Sequence, residues 1–424
     1  MKTEPLSIYR PFIDLPLDIT WLDRFDRSII HPRLFNSFIP ESLKRPPYEK
    51  KPSGGTAYIL LEASIGFPLK AGDAGHTCGA ACGNCYLIRG GSRPDYTPSP
   101  TEAIWMKHTL ETKGFDVIFT GAELLSLPGH FDAGLFDEKP YLLTSGLVIA
   151  ANPERSLRSI AKAGINNIQM SLHGAANIKN IFRGVPSEIV IRAVNNIQAF
   201  NRKFNTHIGI VLNITVGKHN LEFLENIADF VLGNQKNGGL NCDGIRFNRH
   251  KASGGKFIDL MLAEPDYDEF YGSVKGIRKK YPLSETNKTV NVSGDFGKIK
   301  RPVKSGKIPY ECPAGIPGGE ITIVPRRGGK HEVYSCLEVR NEKLQMGIFY
   351  GNQSEINPGQ RGILALHTRP FESLKDDRLR VQLTLEKDDD GCIAYVLTQG
   401  DSASNPALNY LQTSLNVNQA NLII

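Results

Sequence analysis

Three cysteines lie within eight residues, Cys78, Cys82 and Cys85, in the spacing C-x3-C-x2-C. Three thiolates on one short loop can hold three irons of a cubic [4Fe–4S] cluster and leave the fourth iron open to an exchangeable ligand. Gly79 and Gly83 let such a loop turn tightly and free backbone N–H groups to face the sulfurs. Two other uses of the same thiols stand beside this one. A zinc site would need a fourth ligand, which His76 could supply, although the spacing is unlike the paired C-x2-C of structural zinc sites. The third use is as purely structural cysteines.

These residues have to be held by something, and the flanking sequence is built of alternating elements. β-rich runs occupy 57–62, 116–119, 141–149, 166–171, 207–214 and 244–247. Between them fall helical patterns: one beginning at Ser187, one near Asn220 that stops at Gly233, and weaker ones over 101–113, 153–163 and 265–280. Strand–helix alternation predicts a parallel sheet, as an open partial barrel or a doubly wound sheet. Polar residues recur at the expected C-terminal strand ends, where βα folds build their sites: Gly121-Ala122-Glu123, Thr144-Ser145-Gly146, Ser171, Asn213, and Arg246 with Asn248. His173 and His250 are candidates for proton transfer or for structural hydrogen bonding.

The rest of the chain bounds the reading. Of 424 residues 40% are apolar and 22% charged, which excludes a disordered or fibrous chain. No apolar run is long enough to span a bilayer, and the N-terminus MKTEPLSIYRPFIDL lacks a signal-peptide core, so a cytoplasmic protein is expected. A net charge of +6 without a basic-aromatic stripe does not predict a nucleic-acid partner. Residues 1–55, interrupted by seven prolines from Pro5 to Pro47, read as an irregular extension, either an ordered wrap or a flexible arm. Beyond about residue 300 the alternation stops. Residues 301–424, with the runs EITIVP, VQLTLEK and IAYVLT, read as a separate small α+β domain.

The cysteine spacing after a first β-strand resembles the signature of the radical S-adenosylmethionine (SAM) superfamily, and the later motifs follow in that family's order over about residues 56–255. The resemblance implies a partial (β/α)6 barrel over 56–300 and a [4Fe–4S] cluster held by Cys78, Cys82 and Cys85. It also implies SAM bound at the open iron, against Gly121, Ala122, Glu123, Ser145, Ser171, Arg183 and Asn213. Glu123 would pair with the methionine ammonium and Arg183 with its carboxylate. Two departures are visible: Asn84 stands where the family has an aromatic residue before the third cysteine, and IGFPLKAGDAGHT lengthens the loop after the first strand.

A second group, Cys312-Pro-Ala-Gly315 followed through Gly318-Gly319-Glu320 to Cys336, resembles the start of a SPASM/Twitch extension, in which an auxiliary [4Fe–4S] cluster is held. Cys392 would be a third ligand; Cys242 would be either a fourth or a small buried side chain. The resemblance implies reductive SAM cleavage and hydrogen abstraction from a substrate, with modification of a ribosomal peptide or protein preferred over oxidation or epimerisation of a sugar-like metabolite. It further implies an electron donor such as flavodoxin or ferredoxin. An iron–sulfur electron carrier or a zinc-binding protein remains the reading from a different class.

Overall fold

The structure, a computed structural model, describes residues 17–35, 55–61, 92, 94–121, 123–137, 141–172, 186–250, 257–293, 320–334, 337, 340, 345–366 and 422–423. The part in which strands and helices alternate begins with β1 (Gly55–Leu61), α1 (Pro100–Thr112) and β2 (Phe115–Gly121). The start of α1 is written in its sequence. Ser99 accepts the Glu102 N–H at 3.2 Å, and Pro100 supplies a first-turn residue that needs no N–H partner.

Next come α2 (Pro128–Asp132), β3 (Leu142–Thr144), α3 (Leu147–Ala151), α4 (Pro153–Lys162) and β4 (Asn167–Ser171). The run 141–149, expected to be one strand, is therefore a three-residue strand and a helix. Gly146, at φ 80°, turns the chain out of the sheet, and a short apolar run such as LVIAA fits a buried helix as well as a strand. Then follow α5 (Ser187–Phe204), β5 (Gly209–Val216), α6 (Leu224–Leu232), β6 (Gly244–Arg249), α7 (Glu264–Lys280), α8 (Leu283–Thr286) and β7 (Thr289–Val292). The four-residue β7, TVNV, carries too little pattern to be found from the sequence, and it adds a seventh strand to the six expected.

After residue 300 the described strands are β8 (Glu320–Val324), β9 (Lys330–Tyr334), β10 (Gln345–Tyr350), β11 (Leu364–Leu366) and β12 (Leu422–Ile423), with two short 3-10 turns and no α-helix among the described residues there. The runs 381–387 and 393–398 lie outside the described residues.

The described strands form two sheets, β12-β11-β10-β9-β8-β1-β2 and β3-β4-β5-β6-β7. The second is parallel throughout. In the first, β1 lies parallel to both β2 and β8, and the strands beyond β8 run antiparallel. β8, from the C-terminal segment, thus hydrogen-bonds directly to the first strand of the βα part, Thr56 opposite Glu320 and Ile59 opposite Ile323.

One apolar core joins the two sheets to the helices. Ala57, Ile59, Val117 and Phe119 enter it from the first sheet, and Ile168, Met170, Ile210, Leu212, Ile245 and Phe247 from the second. The N-terminal segment is an ordered wrap over residues 17–35, made of short 3-10 turns. It inserts Trp21 and Phe25 against Phe200 of α5, with Trp21 stacked at 6.5 Å and Phe25 edge-on at 5.0 Å. Full burial of an aromatic ring of this size contributes roughly 2–3 kcal/mol, enough to hold a segment with little regular structure of its own. No helix among the described residues is long and apolar enough to cross a membrane.

Candidate functional site at the C-terminal strand ends

β1 ends at Leu61, where the segment carrying Cys78, Cys82 and Cys85 departs. Those cysteines lie outside the described residues, as do His76, Ala122, His173, Arg183, Cys312, Cys336 and Cys392. Among the described residues no group of three His, Cys, Asp or Glu is placed to hold a metal ion. What the structure gives is the ground on which those residues stand.

The neighbouring strand end is held very close. Gly121, the last residue of β2, sits opposite Leu61, and a Cβ added to it would lie 1.9 Å from the Leu61 carbonyl oxygen. Only glycine fits there, so the ends of β1 and β2 meet without a side chain between them.

Two residues on, Glu123 is fully buried and its carboxylate is saturated. One oxygen accepts the Thr144 hydroxyl at 2.7 Å and the Leu125 N–H at 3.3 Å. The other accepts the Ser145 N–H at 2.8 Å and the Ser145 hydroxyl at 2.5 Å. A carboxylate has about four acceptor positions, and all are met by the protein. β2 and β3 share no backbone ladder among the described residues, so Glu123 is the tie between the two sheets at this end. Thr144 and Ser145 also shape the turn that follows: their hydroxyls accept the N–H groups of Gly146 at 3.1 Å and Leu147 at 3.2 Å. Sequence reading brought Glu123 and Ser145 together only through resemblance. The structure puts them in direct contact and adds Thr144.

Farther along the second sheet the pleat separates two chemistries. Ile168 and Met170, Ile210, Leu212 and Ile214, and Ile245 and Phe247 face the core. The opposite face carries a row in register across four strands: Ser171 opposite Asn213, Asn213 opposite Arg246, Arg246 opposite Asn291. Thr215 opposite Asn248 extends it. A packed barrel interior would place branched apolar residues here; a polar row calls for a polar occupant. Asn213 is 8% exposed, and its side-chain oxygen has no hydrogen-bond partner among the described residues. An acceptor left unmet at that depth costs about 1–3 kcal/mol, which an N–H or O–H from a bound molecule would recover. Asn291 escaped the sequence reading because β7 did.

Two further candidates resolve into structure. His250 is buried, and its Nε2 bonds the Phe257 carbonyl at 3.0 Å; burial depresses its basicity, so it serves as a neutral clamp on the turn at Phe257, whose φ is 62°. Cys242 is a free thiol enclosed in the core, and burial pushes its pKa well above the ordinary value.

The far side of the cysteine segment is anchored to the C-terminal strands. Ser92 N–H donates to the Arg340 carbonyl at 2.6 Å, Arg340 Nε donates to the Ser92 carbonyl at 2.8 Å, and Ser92 Oγ donates to Glu332 at 2.7 Å. Arg326 bonds both Ser92 and Glu332, the latter at 2.6 Å. Burial alone would raise the Glu332 pKa, but the bonds from Arg326, Ser92 and Tyr334 outweigh it and hold the carboxyl below its usual value. A second knot joins α1 to β9 and to the turn after β10. Glu102 accepts from Tyr96 and Gln353, each at 2.8 Å, and faces His331 Nε2 at 3.6 Å.

No protein-family model matches the sequence, and neither does a curated protein sequence. Among solved structures, SuiB of Streptococcus suis matches in two forms at 14% identity. One is SuiB bound to S-adenosylmethionine (TM-score 0.47) and the other is described simply as SuiB (TM-score 0.48). Each match covers 66% of this chain and 60% of SuiB.

Proposed function

We propose that the chain is a radical SAM enzyme that acts on a ribosomal peptide or protein. The observation that carries this reading is the conjunction of C-x3-C-x2-C with the strand ends that flank it: Gly121 pressed on Leu61, and Glu123 locked to Thr144 and Ser145. In this reading Cys78, Cys82 and Cys85 hold the cluster in a partial barrel. SAM would be held at the strand ends by residues drawn from Gly121, Ala122, Glu123, Ser145, Ser171, Arg183 and Asn213. When bound, the cluster would supply the electron for reductive cleavage of SAM, and with it the capacity to take hydrogen from an unactivated C–H bond.

The residues fit that group in two respects. Gly121 lets the ends of β1 and β2 meet where the cysteine segment departs, and the Asn213 oxygen, without a partner among the described residues, can accept a hydrogen bond from a bound molecule. Glu123, being saturated, acts by fixing Ser145 and the β3 turn rather than by offering a free carboxylate. The C-terminal segment, with Cys312, Cys336 and Cys392 as ligands, is proposed to hold an auxiliary [4Fe–4S] cluster, and a flavodoxin- or ferredoxin-like protein to deliver the electron.

The experiment is anaerobic reconstitution with iron and sulfide, followed by SAM and dithionite. About eight irons per chain with 5′-deoxyadenosine formed is the expected result, and about four irons with cleavage would remove the auxiliary site. Zinc without iron, or undiminished cleavage after changing all three of Cys78, Cys82 and Cys85 to Ala, would refute the reading.

A further inference from the structure

Arg246 stands in the polar row beside Asn213, half-buried, and its guanidinium has neither a hydrogen bond nor an ion pair among the described residues. Arg is rarely buried without a partner, and its five donors form a planar fork suited to a carboxylate. The groups near it argue for what it takes. Tyr141, just before β3, lies in the electrostatic reach of Arg246 from one sheet and of Asp116 and Glu320 from the other. Asn291 flanks Arg246 on the next strand. Leu143, opposite Gln169 on the same face, is 38% exposed, so this side of the sheet has open space before it.

We infer that Arg246 and Asn213 form a subsite for a substrate carboxylate: the guanidinium takes the carboxylate, and the Asn213 oxygen accepts an N–H two or three bonds away from it. Asn213 and Arg246 are register partners on strands about 5 Å apart, close enough for one small molecule to touch both side chains. A single cation, with Asp116 and Glu320 acting on the same Tyr141 that Arg246 reaches, suits a monoanion and disfavours a phosphate dianion. An N-acylated amino-acid carboxylate, as at a peptide terminus, has both groups. The inference deepens the proposed function, on which it rests only for the identity of the molecule next door, and it moves Asn213 from the cofactor to the substrate.

The test uses the full reconstituted chain and N-acetylglycine as the probe, with neutral N-acetylglycinamide as its control. N-acetylglycine should bind at least tenfold more tightly than the amide by calorimetry, whether or not SAM is present. R246Q should lose at least tenfold in that binding, and R246K, which keeps the charge and loses the fork, should fall between. In the unaltered chain, phenylglyoxal should modify Arg246, mapped by mass spectrometry, and N-acetylglycine should slow that modification at least fivefold while the amide does not. Equal binding of acid and amide, absence of protection, or displacement of the probe by SAM would overturn the subsite; displacement would mean that Arg246 serves the cofactor's own carboxylate. A chain that fails to bind SAM but shows the charge-dependent, Arg246-dependent binding would keep the subsite and remove the radical SAM reading.

Discussion

Replacing Glu123 by Gln tests whether this carboxylate is the tie between the two sheets. Its four donors are of two kinds. The Thr144 and Ser145 hydroxyls can rotate to offer a lone pair, whereas the Leu125 and Ser145 N–H groups are fixed. A glutamine keeps one oxygen and presents an NH2 in place of the other, so in either orientation the NH2 meets a backbone N–H. The cheaper choice sets it against Leu125, whose bond is the longest at 3.3 Å, and keeps the oxygen for Ser145. That leaves one buried N–H unmet, about 1–3 kcal/mol, and removes the charge assistance from the remaining bonds, about another 1–2 kcal/mol in all. Burying an amide in place of a carboxylate returns roughly 1 kcal/mol through reduced desolvation.

The net expectation is about 2–3 kcal/mol for E123Q and about 3–5 kcal/mol for E123A, which orphans both N–H groups. Because a chain of this size need not unfold in one step, native-state hydrogen exchange is the appropriate assay. The Ser145 amide should exchange roughly 30- to 150-fold faster in E123Q than in the unaltered chain, since about 1.4 kcal/mol is a factor of ten. Exchange within threefold of the unaltered chain, or an E123A no worse than E123Q, would refute the account of Glu123 as a saturated tie.

The remaining expectations follow from single contacts. Gly121→Ala places a methyl 1.9 Å from the Leu61 carbonyl oxygen, so the ends of β1 and β2 must part, with a loss of about 2–4 kcal/mol measurable by denaturant titration. Glu102 and Glu332 both titrate below their ordinary value because, although burial acts against it, His331, Gln353 and Tyr96 hold the first and Arg326, Ser92 and Tyr334 the second. A depressed carboxyl contributes stability that is present above its unfolded pKa and lost as pH falls through the folded one. Proteolysis within strands β8–β10 should therefore accelerate as pH is taken below about 4, and the paired variant E102Q/E332Q should flatten that dependence. Cys242, enclosed and with its thiol pKa raised by burial, should resist iodoacetamide at pH 8 in the folded chain and react on denaturation; labelling of the native thiol would contradict its burial.

Much of the architecture was legible because periodicity is strong where helices pack on a sheet. The helix from Ser187 and the strands near 57, 116, 167, 209 and 244 stand where their patterns put them. The misses have local causes. The apolar run 141–149 carries no period that separates helix from strand, and the turn that divides it depends on Gly146 adopting a positive φ. β7 is four residues long, and its partner β6 rather than its own sequence makes it a strand. In the site, residue types at strand ends singled out Glu123, Ser145, Ser171 and Asn213. Saturation of Glu123 was not legible, because it depends on where Thr144 and Leu125 lie in space. Neither was the register that aligns Asn213 with Arg246, since register is fixed by strand pairing and not by composition.

The C-terminal strands bear on the site through sequence-distant bonds. The segment with the three cysteines leaves the end of β1 at Leu61 and returns at Ser92. The first anchor is shared with β2 through Gly121, and with β8, which pairs with β1 along Thr56–Ile59. The second is held by Arg326, Glu332 and Arg340, all from the segment beyond residue 300. Both ends of the cysteine segment are therefore fixed in part by residues more than two hundred positions away. Their geometry depends on the C-terminal strands having folded against β1. Loosening Arg326 or Glu332 would free the return of the segment while leaving its departure intact, so any ligand held by Cys78, Cys82 and Cys85 should be lost at milder denaturant than the βα core unfolds. A cluster that survived until the core itself melted would show that the three cysteines hold their loop without this support.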